Sequence, residues 1–166
     1  MSREPIKILG DIIINQMGLA PDKVFLYNQD YKIPPVEGIW IVIDFGFSTN
    51  FGTSTKYINT VDGMNESLFT CQREQYTINI LSKNQEARLR KEEVLLALQS
   101  SFSQEMQEKY QFHIAKISPQ ITNLSYLEGG SMLNRFGINV TVLASYEITK
   151  NIVDIFENFS NNIIDN

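Results

Sequence analysis

Residues 85–98 read QEARLRKEEVLLAL, and this stretch decides the fold class. Its apolar positions recur at spacings of three, four and seven, which is typical of one face of an α-helix, and the pattern continues to about Lys109. The residues of this face are Ala87, Val94, Leu95, Leu98, Phe102 and Met106. Ser82, with Gln85 three positions later, predicts a capping box at its start. The sequence therefore predicts one long helix over 85–109 that packs on a sheet.

The beginning of this helix is dense in charge. Arg88, Arg90 and Lys91 lie within its first two turns, where basic side chains oppose the helix dipole. A helix that only covers a sheet does not need them, so we expect them to bind partners. Arg88 and Arg90 are two positions apart and point in different directions on a helix, so one can brace the sheet or a neighbour while the other lines a surface.

Strands are predicted on both sides of the helix. Ser67–Leu81 precedes it with alternating apolar and polar residues, and Phe112–Ile117 and a long run from about Asn134 to Ile148 follow it. One face of that last run consists of Phe136, Ile138, Val140, Val142 and Ala144. Ile39–Phe45 is apolar on both faces until Asp44, which is typical of a central strand.

The remaining segments complete the predicted domain. Pro5–Gly18 reads as a helix and Val24–Tyr27 as a short strand. Gly46–Glu66 is rich in Ser, Thr, Asn and Gly and predicts a long polar loop or an extended hairpin, a candidate contact arm. The tail 153–166 is expected to be mobile, either a short docked helix or an arm ordered by a neighbour. The chain 1–166 is thus predicted to be one α+β domain, an antiparallel or mixed β-sheet with two main helices packed against it.

Composition excludes several classes of protein. With 166 residues, 43% of them apolar and 20% charged, the chain is predicted to form one ordinary folded domain. No apolar run approaches the roughly 20 residues that span a bilayer, and no signal peptide is apparent, so we expect a cytoplasmic origin and no membrane partner. A net charge of −5 argues against tight wrapping of nucleic acid. The single cysteine, Cys71, is interpreted as a small sheet residue.

Catalytic signals are weak. Gly129-Gly130-Ser131 lacks the lysine of a phosphate-binding loop and is interpreted as a tight turn before the last strand. His113 is the only histidine and cannot form a histidine-rich metal site by itself. The carboxylates lack a spacing that brings two of them together: Asp44, Asp62, Glu66 and Glu74. No catalytic, cofactor or metal site is predicted; the alternative from another class is a small cytoplasmic α+β enzyme that uses dispersed carboxylates and His113.

Three segments in series resemble the tailed-bacteriophage neck or tail terminator family. They are Tyr27–Gln29, Ala87–Leu98 and Leu127–Phe136, and their order and spacing cover nearly the whole chain. The resemblance implies a tail-terminator-like fold and a virion structural protein without a cofactor, made in the bacterial cytoplasm and located at the neck. Such a protein caps the tail tube and joins it to the head side, usually as a six-membered ring.

The resemblance also implies the partners: further copies of the chain in a ring, the tail tube protein, and the head-side connector or stopper protein. DNA is expected to pass through the lumen without specific binding, which suits the acidic chain because like charges repel. The candidates for subunit or partner contacts are Arg88, Arg90, Glu128, Asn134 and Arg135. Arg135 and Glu128 flank the Gly-Gly turn and are expected either to pair across an interface or to be solvated. Another connector or tail-completion subunit is the close alternative.

Overall fold

The computed structural model describes residues 4–26, 38–60, 63–128 and 131–152. Within them a helix, a run of three strands, two consecutive helices and a run of four strands follow one another, a segregated order that confirms the predicted α+β fold class. In chain order the elements are α1 (Pro5–Met17), β1 (Val24–Leu26), β2 (Ile39–Thr60), β3 (Gly63–Ser82), α2 (Glu86–Leu98), α3 (Ser101–Tyr110), β4 (Phe112–Ile117), β5 (Thr122–Asn123), β6 (Tyr126–Glu128) and β7 (Ser131–Ile152).

The strands form a mixed sheet in the order β1-β2-β3-β7-β4. β1 is parallel to β2, and every other pairing is antiparallel. The short strands β5 and β6 pair with the first half of β7. β7 therefore contacts four other strands, although it comes after all of them in the sequence.

The three helices cover one face of this sheet and share a core with it. α1 contributes its isoleucine and leucine side chains, and the strands contribute residues at every second position, as the alternation predicted. The fully buried members of this core include Ile8, Leu9, Ile12, Ile13, Ile41, Ile43, Ile78, Ile80, Val94, Ile138, Val140 and Val142. Burying one isoleucine side chain contributes roughly 1.5–3 kcal/mol, so this face supplies most of the stability. The helix predicted over Pro5–Gly18 is confirmed, with Gly18 in the left-handed conformation that ends it.

The single helix predicted over 85–109 is wrong, because the chain forms two helices that break at Gln99 and Ser100. The backbone of Ser100 is extended. Its hydroxyl accepts a hydrogen bond from the Ser103 N–H at 3.1 Å, and the same hydroxyl donates to the Ala97 carbonyl at 2.7 Å. This serine thus caps the second helix and terminates the first. The sheet is covered by three helices rather than two, although the predicted apolar stripe lies inward on both α2 and α3.

The predicted capping box at the start of α2 is also wrong. Gln85 occupies the N-cap position without a side-chain cap hydrogen bond. Ser82 instead accepts from the Ala87 N–H at 2.9 Å, and Asn84 accepts from the Glu86 N–H at 2.9 Å. Two side chains from the preceding turn therefore satisfy the free N–H groups at this helix end.

The described parts of the polar segment, 46–60 and 63–66, are paired strands, as the extended-hairpin alternative predicted. β2 and β3 pair from Ile39 opposite Ser82 out to Thr60 opposite Gly63, and β7 accompanies β3 as far as Ile152 opposite Met64. We call the arm the three strand segments 46–60, 63–74 and 142–152. At about 3.3 Å per residue its longest strand extends roughly 50 Å. The predictions for the tail 153–166 and for the Gly129-Gly130 turn lie outside the described residues.

Candidate assembly interface

A buried carboxylate fixes the arm at the point where the helix layer ends. Glu74 is 5% exposed and accepts hydrogen bonds from the hydroxyls of Tyr76, its neighbour on β3, and of Tyr146 on β7, the latter at 2.5 Å. Burial, and then the contact with Glu74, raises the pKa of both tyrosines well above the usual value, so both remain neutral donors. The Tyr146 hydroxyl ties β7 to β3, and the Tyr76 hydroxyl holds the Glu74 carboxylate in place from within β3.

Both outer edges of the arm are unpaired in the part of the chain that the structure describes. β1 pairs with β2 only at Ile41–Ile43, so the edge of β2 is open from Asp44 to its end. β4 pairs with β7 only as far as Ala144, so the edge of β7 is open from Ser145 onward. Each edge presents a row of backbone N–H and C=O groups that can pair with another strand.

The open edge of β2 carries little protection against such pairing. Sequence 45–60 contains one charged residue, Lys56, and no proline. The β2–β3 register shifts between Phe45 and Phe47 and between Asn50 and Gly52, but it is regular from Gly52 to Thr60. Natural proteins usually interrupt a long exposed edge with charges, prolines or bulges. From Gly52 to Thr60 this edge has no proline and no bulge, and Lys56 is its one charged residue. An edge of this kind is typical of a surface that another strand covers.

Large apolar side chains are exposed on the arm and on α2. Those on the arm include Phe47, Phe51, Tyr57, Ile58 and Ile148. On α2, Leu89 is 72% exposed and Leu96 is 67% exposed, next to the charged residues that open the helix. Clustered exposed apolar groups mark contact surfaces in proteins. Sequence reasoning missed the two leucines, whose only signal is their seven-residue spacing off the buried stripe.

A cleft of about 720 Å³ lies beside the open edge of β7. Its walls are Phe69, the end of α3 and the turn after it, Lys109–Gln111, and the edge itself, Ser145–Ile148. The cleft lies just beyond the first residue of β4, Phe112, which pairs with Ala144 of β7. The first open positions of β7 therefore lie in a groove beside the helix layer.

Of the two arginines predicted to bind partners, Arg90 contacts its own subunit. Its guanidinium binds the Glu93 carboxylate in two places, at 2.9 and 2.7 Å, and donates to the Met17 carbonyl at 3.1 Å. The hydrogen bonds to Glu93 raise the pKa of Arg90, and the third contact joins α2 to the last turn of α1. Arg88 is exposed and its side chain makes no hydrogen bond or ion pair with the described residues. Arg88 is therefore the arginine left for a partner.

The candidates around the start of β7 lie on other surfaces. Asn134 donates to the Asn84 carbonyl at 2.7 Å and so holds the turn before α2. Arg135 donates to Asn79 at 3.0 Å, and Asn79 donates to Asp44 at 2.6 Å, a polar row across the face opposite the helices. The Glu128 side chain lies outside the described residues, and its pairing with Arg135 stays a prediction.

The residues considered for catalysis are dispersed. His113 is exposed at a cleft of about 460 Å³ that also includes Glu108. Glu74 accepts from its two tyrosines, Asp44 accepts from Asn79, and Glu66 accepts from the Tyr57 hydroxyl at 3.2 Å. Asp62 lies outside the described residues. Across residues 4–26, 38–60, 63–128 and 131–152, no three His, Cys, Asp or Glu side chains converge to hold a metal ion.

Helices in the described part of the chain are all too short or too polar to cross a membrane. The candidate assembly surface consists of the two open edges, the cleft beside β7 and the exposed leucines of α2. No protein-family model matches this sequence, and no curated protein matches it either.

Proposed function

We propose that this protein is a non-enzymatic virion structural protein, a tail terminator subunit at the neck of a tailed bacteriophage. In this role copies of the chain form a ring, six-membered by resemblance, that caps the tail tube and binds the head-side connector. The observation that carries the proposal is the arm, a three-stranded extension of the sheet whose outer edges, beyond Ile43 on β2 and Ala144 on β7, pair with none of the residues that the structure describes. Exposed edges of this kind favour pairing with other chains, and natural proteins usually block or cover them.

The two open edges favour a ring over a simple pair. They belong to different strands, β2 and β7, on opposite sides of the same arm. Contact between two different surfaces of identical copies is heterologous, and it closes into a ring when the rotation between copies divides a full turn. A two-fold dimer uses one surface twice and leaves the other edge open.

The charge of the chain is consistent with a passage for DNA. The chain carries 19 acidic and 14 basic residues, and like charge discourages adhesion of the phosphate backbone. Arg90 and Lys91 pair with glutamates on α2, which partly neutralises the positive charge that they offer to a phosphate. The proposal therefore has DNA pass through the lumen without being bound.

Light scattering after size exclusion, with negative-stain imaging of the same fractions, tests the proposal. We expect discrete rings that bind the ends of purified tail tubes. Binding along the tube wall, counted in the same images, is the internal control for non-specific adhesion and is expected to be low. Rings that bind the head-side connector but not tube ends would support a different connector subunit. A protein that stays monomeric at every concentration and ignores tube ends refutes the proposal.

A further inference from the structure

We infer that the open edge of β7 in one copy pairs with the open edge of β2 in the next copy, in parallel, so that the arms form one continuous sheet. The inference deepens the proposed function and rests on it for one feature, the closure of the ring. The pairing itself follows from the direction of the strands, the shape of the cleft beside β7 and the charges on the two edges.

The direction of the strands makes the contact parallel. β2 and β7 are each antiparallel to β3, so both run toward the tip of the arm. Rotation about an axis roughly along the arm keeps this direction in every copy. β7 of one copy and β2 of its neighbour then run the same way at the spacing of about 4.8 Å that a parallel ladder needs.

The residues at matching heights fit the cleft. Through their common partner β3, Ser145 lies at the height of Gly52, and Ile148 lies at the height of Thr55. The β2 sequence between those heights is Gly52-Thr53-Ser54-Thr55, four small residues without a charge. A cleft of about 720 Å³ accommodates such a segment, whereas the bulky Phe51 lies at the position where the β2 register shifts. In such a contact, this regular, small-residue part of the β2 edge would lie opposite the grooved part of the β7 edge.

The charges are also complementary. Glu147 lies at the height of Ser54, and Lys56 is two residues further on the same face. Across a β7–β2 contact they become diagonal neighbours, roughly 7–8 Å apart, within reach of a lysine side chain. Among the residues that the structure describes, Glu147 accepts only from Thr149, at 3.4 Å, and Lys56 makes no ion pair.

A second copy of this chain is the occupant that these features fit. It supplies both edges, and every copy in a ring then has both of them covered. An isologous contact of β2 with β2 leaves the cleft beside β7 empty and the β7 edge unpaired. A β7–β7 contact leaves the longer edge of β2 exposed.

Two single-cysteine proteins test the pairing. In a background with Cys71→Ser, one protein carries Ser54→Cys on β2 and the other carries Glu147→Cys on β7. Both positions are exposed and lie on the same face. Each protein is treated with a short bismaleimide alone and after mixing, and the covalent dimer is measured on a denaturing gel. Because each chain has one thiol, a crosslink always joins two copies. The matched control replaces Ser54→Cys with Arg73→Cys, which is exposed on the same face but lies on the inner strand β3.

We expect the covalent dimer in the mixture of Ser54→Cys and Glu147→Cys, and little or none in either protein alone or with the control. Dimers in Ser54→Cys alone would overturn the inference in favour of isologous pairing. Rings in the microscope with no crosslink in the mixture would also overturn it and leave the proposed function intact. Crosslinked open chains without rings would support the edge pairing and refute the ring.

Discussion

Removing one hydroxyl at the base of the arm should have a measurable cost. Tyr146→Phe deletes the donor that lies 2.5 Å from the buried Glu74 carboxylate and changes little else. A hydrogen bond to a charged group contributes about 1.5–3 kcal/mol, and an incompletely satisfied buried carboxylate adds to the loss. Because Tyr146 is half-buried and Glu74 keeps the Tyr76 hydroxyl, we expect a loss of about 2 kcal/mol.

The sequence offers both a probe and a matched control for this experiment. Trp40 is the only tryptophan and is fully buried, so its fluorescence reports urea unfolding of the sheet. For a typical slope of about 2 kcal/mol per molar urea, the midpoint should fall by about 1 M. The control is Tyr57→Phe, which removes the same kind of contact, to Glu66, at the exposed tip of the arm. Its expected cost is below about 0.5 kcal/mol. Equal midpoints for the two variants would refute the role given to Glu74.

Three further outcomes follow from the geometry. The tyrosines that donate to Glu74 have a pKa raised above the ordinary value of 10.0, so the folded protein holds these protons more tightly than the unfolded chain. Their contribution to the free energy of unfolding should be complete below pH 10 and should be lost as the pH rises above it. Urea midpoints, together with the absorbance of tyrosinate, measure this loss. Arg90→Ala should destabilise the monomer by about 1 kcal/mol, because the contacts with Glu93 and α1 are lost, whereas Arg88→Ala should leave the urea midpoint unchanged and weaken assembly. Lys56→Glu should reduce ring formation as measured by light scattering, and adding Glu147→Lys should restore it; a double variant as impaired as the single one would contradict the diagonal contact.

The elements that bury one face could be predicted from the sequence, because burial leaves a periodic signal. α1, the inward face of β7 and the apolar stripe over α2 and α3 were all visible in this way. The break at Ser100 was not, because a serine hydroxyl competes locally for backbone groups while the stripe continues past it. Within the arm, residues 46–66 were predicted only as a loop or a hairpin, since a strand that is exposed on both faces has no periodic signal to separate the two.

The candidate interface was harder to predict, for a topological reason. Arg90 was expected to bind a partner, but it contacts Glu93, three residues further on, and the Met17 carbonyl, which is distant in the chain. Whether a strand lies at an edge depends on which distant segments pair with it. The open edges of β2 and β7, and the cleft beside β7, therefore became apparent only in three dimensions.

The position of β7 has a consequence for synthesis on the ribosome. This strand fits between β3 and β4, yet it is translated after both. Until residues 131–152 have left the exit tunnel, β3 has no partner on that side, and neither the core nor the arm can close. Pairing over so long a stretch of chain slows folding and leaves apolar strands exposed in the meantime. We expect nascent chains that stop before residue 131 to be sensitive to protease and bound by chaperones, and the complete sheet to form only after the strand that finishes the arm has emerged.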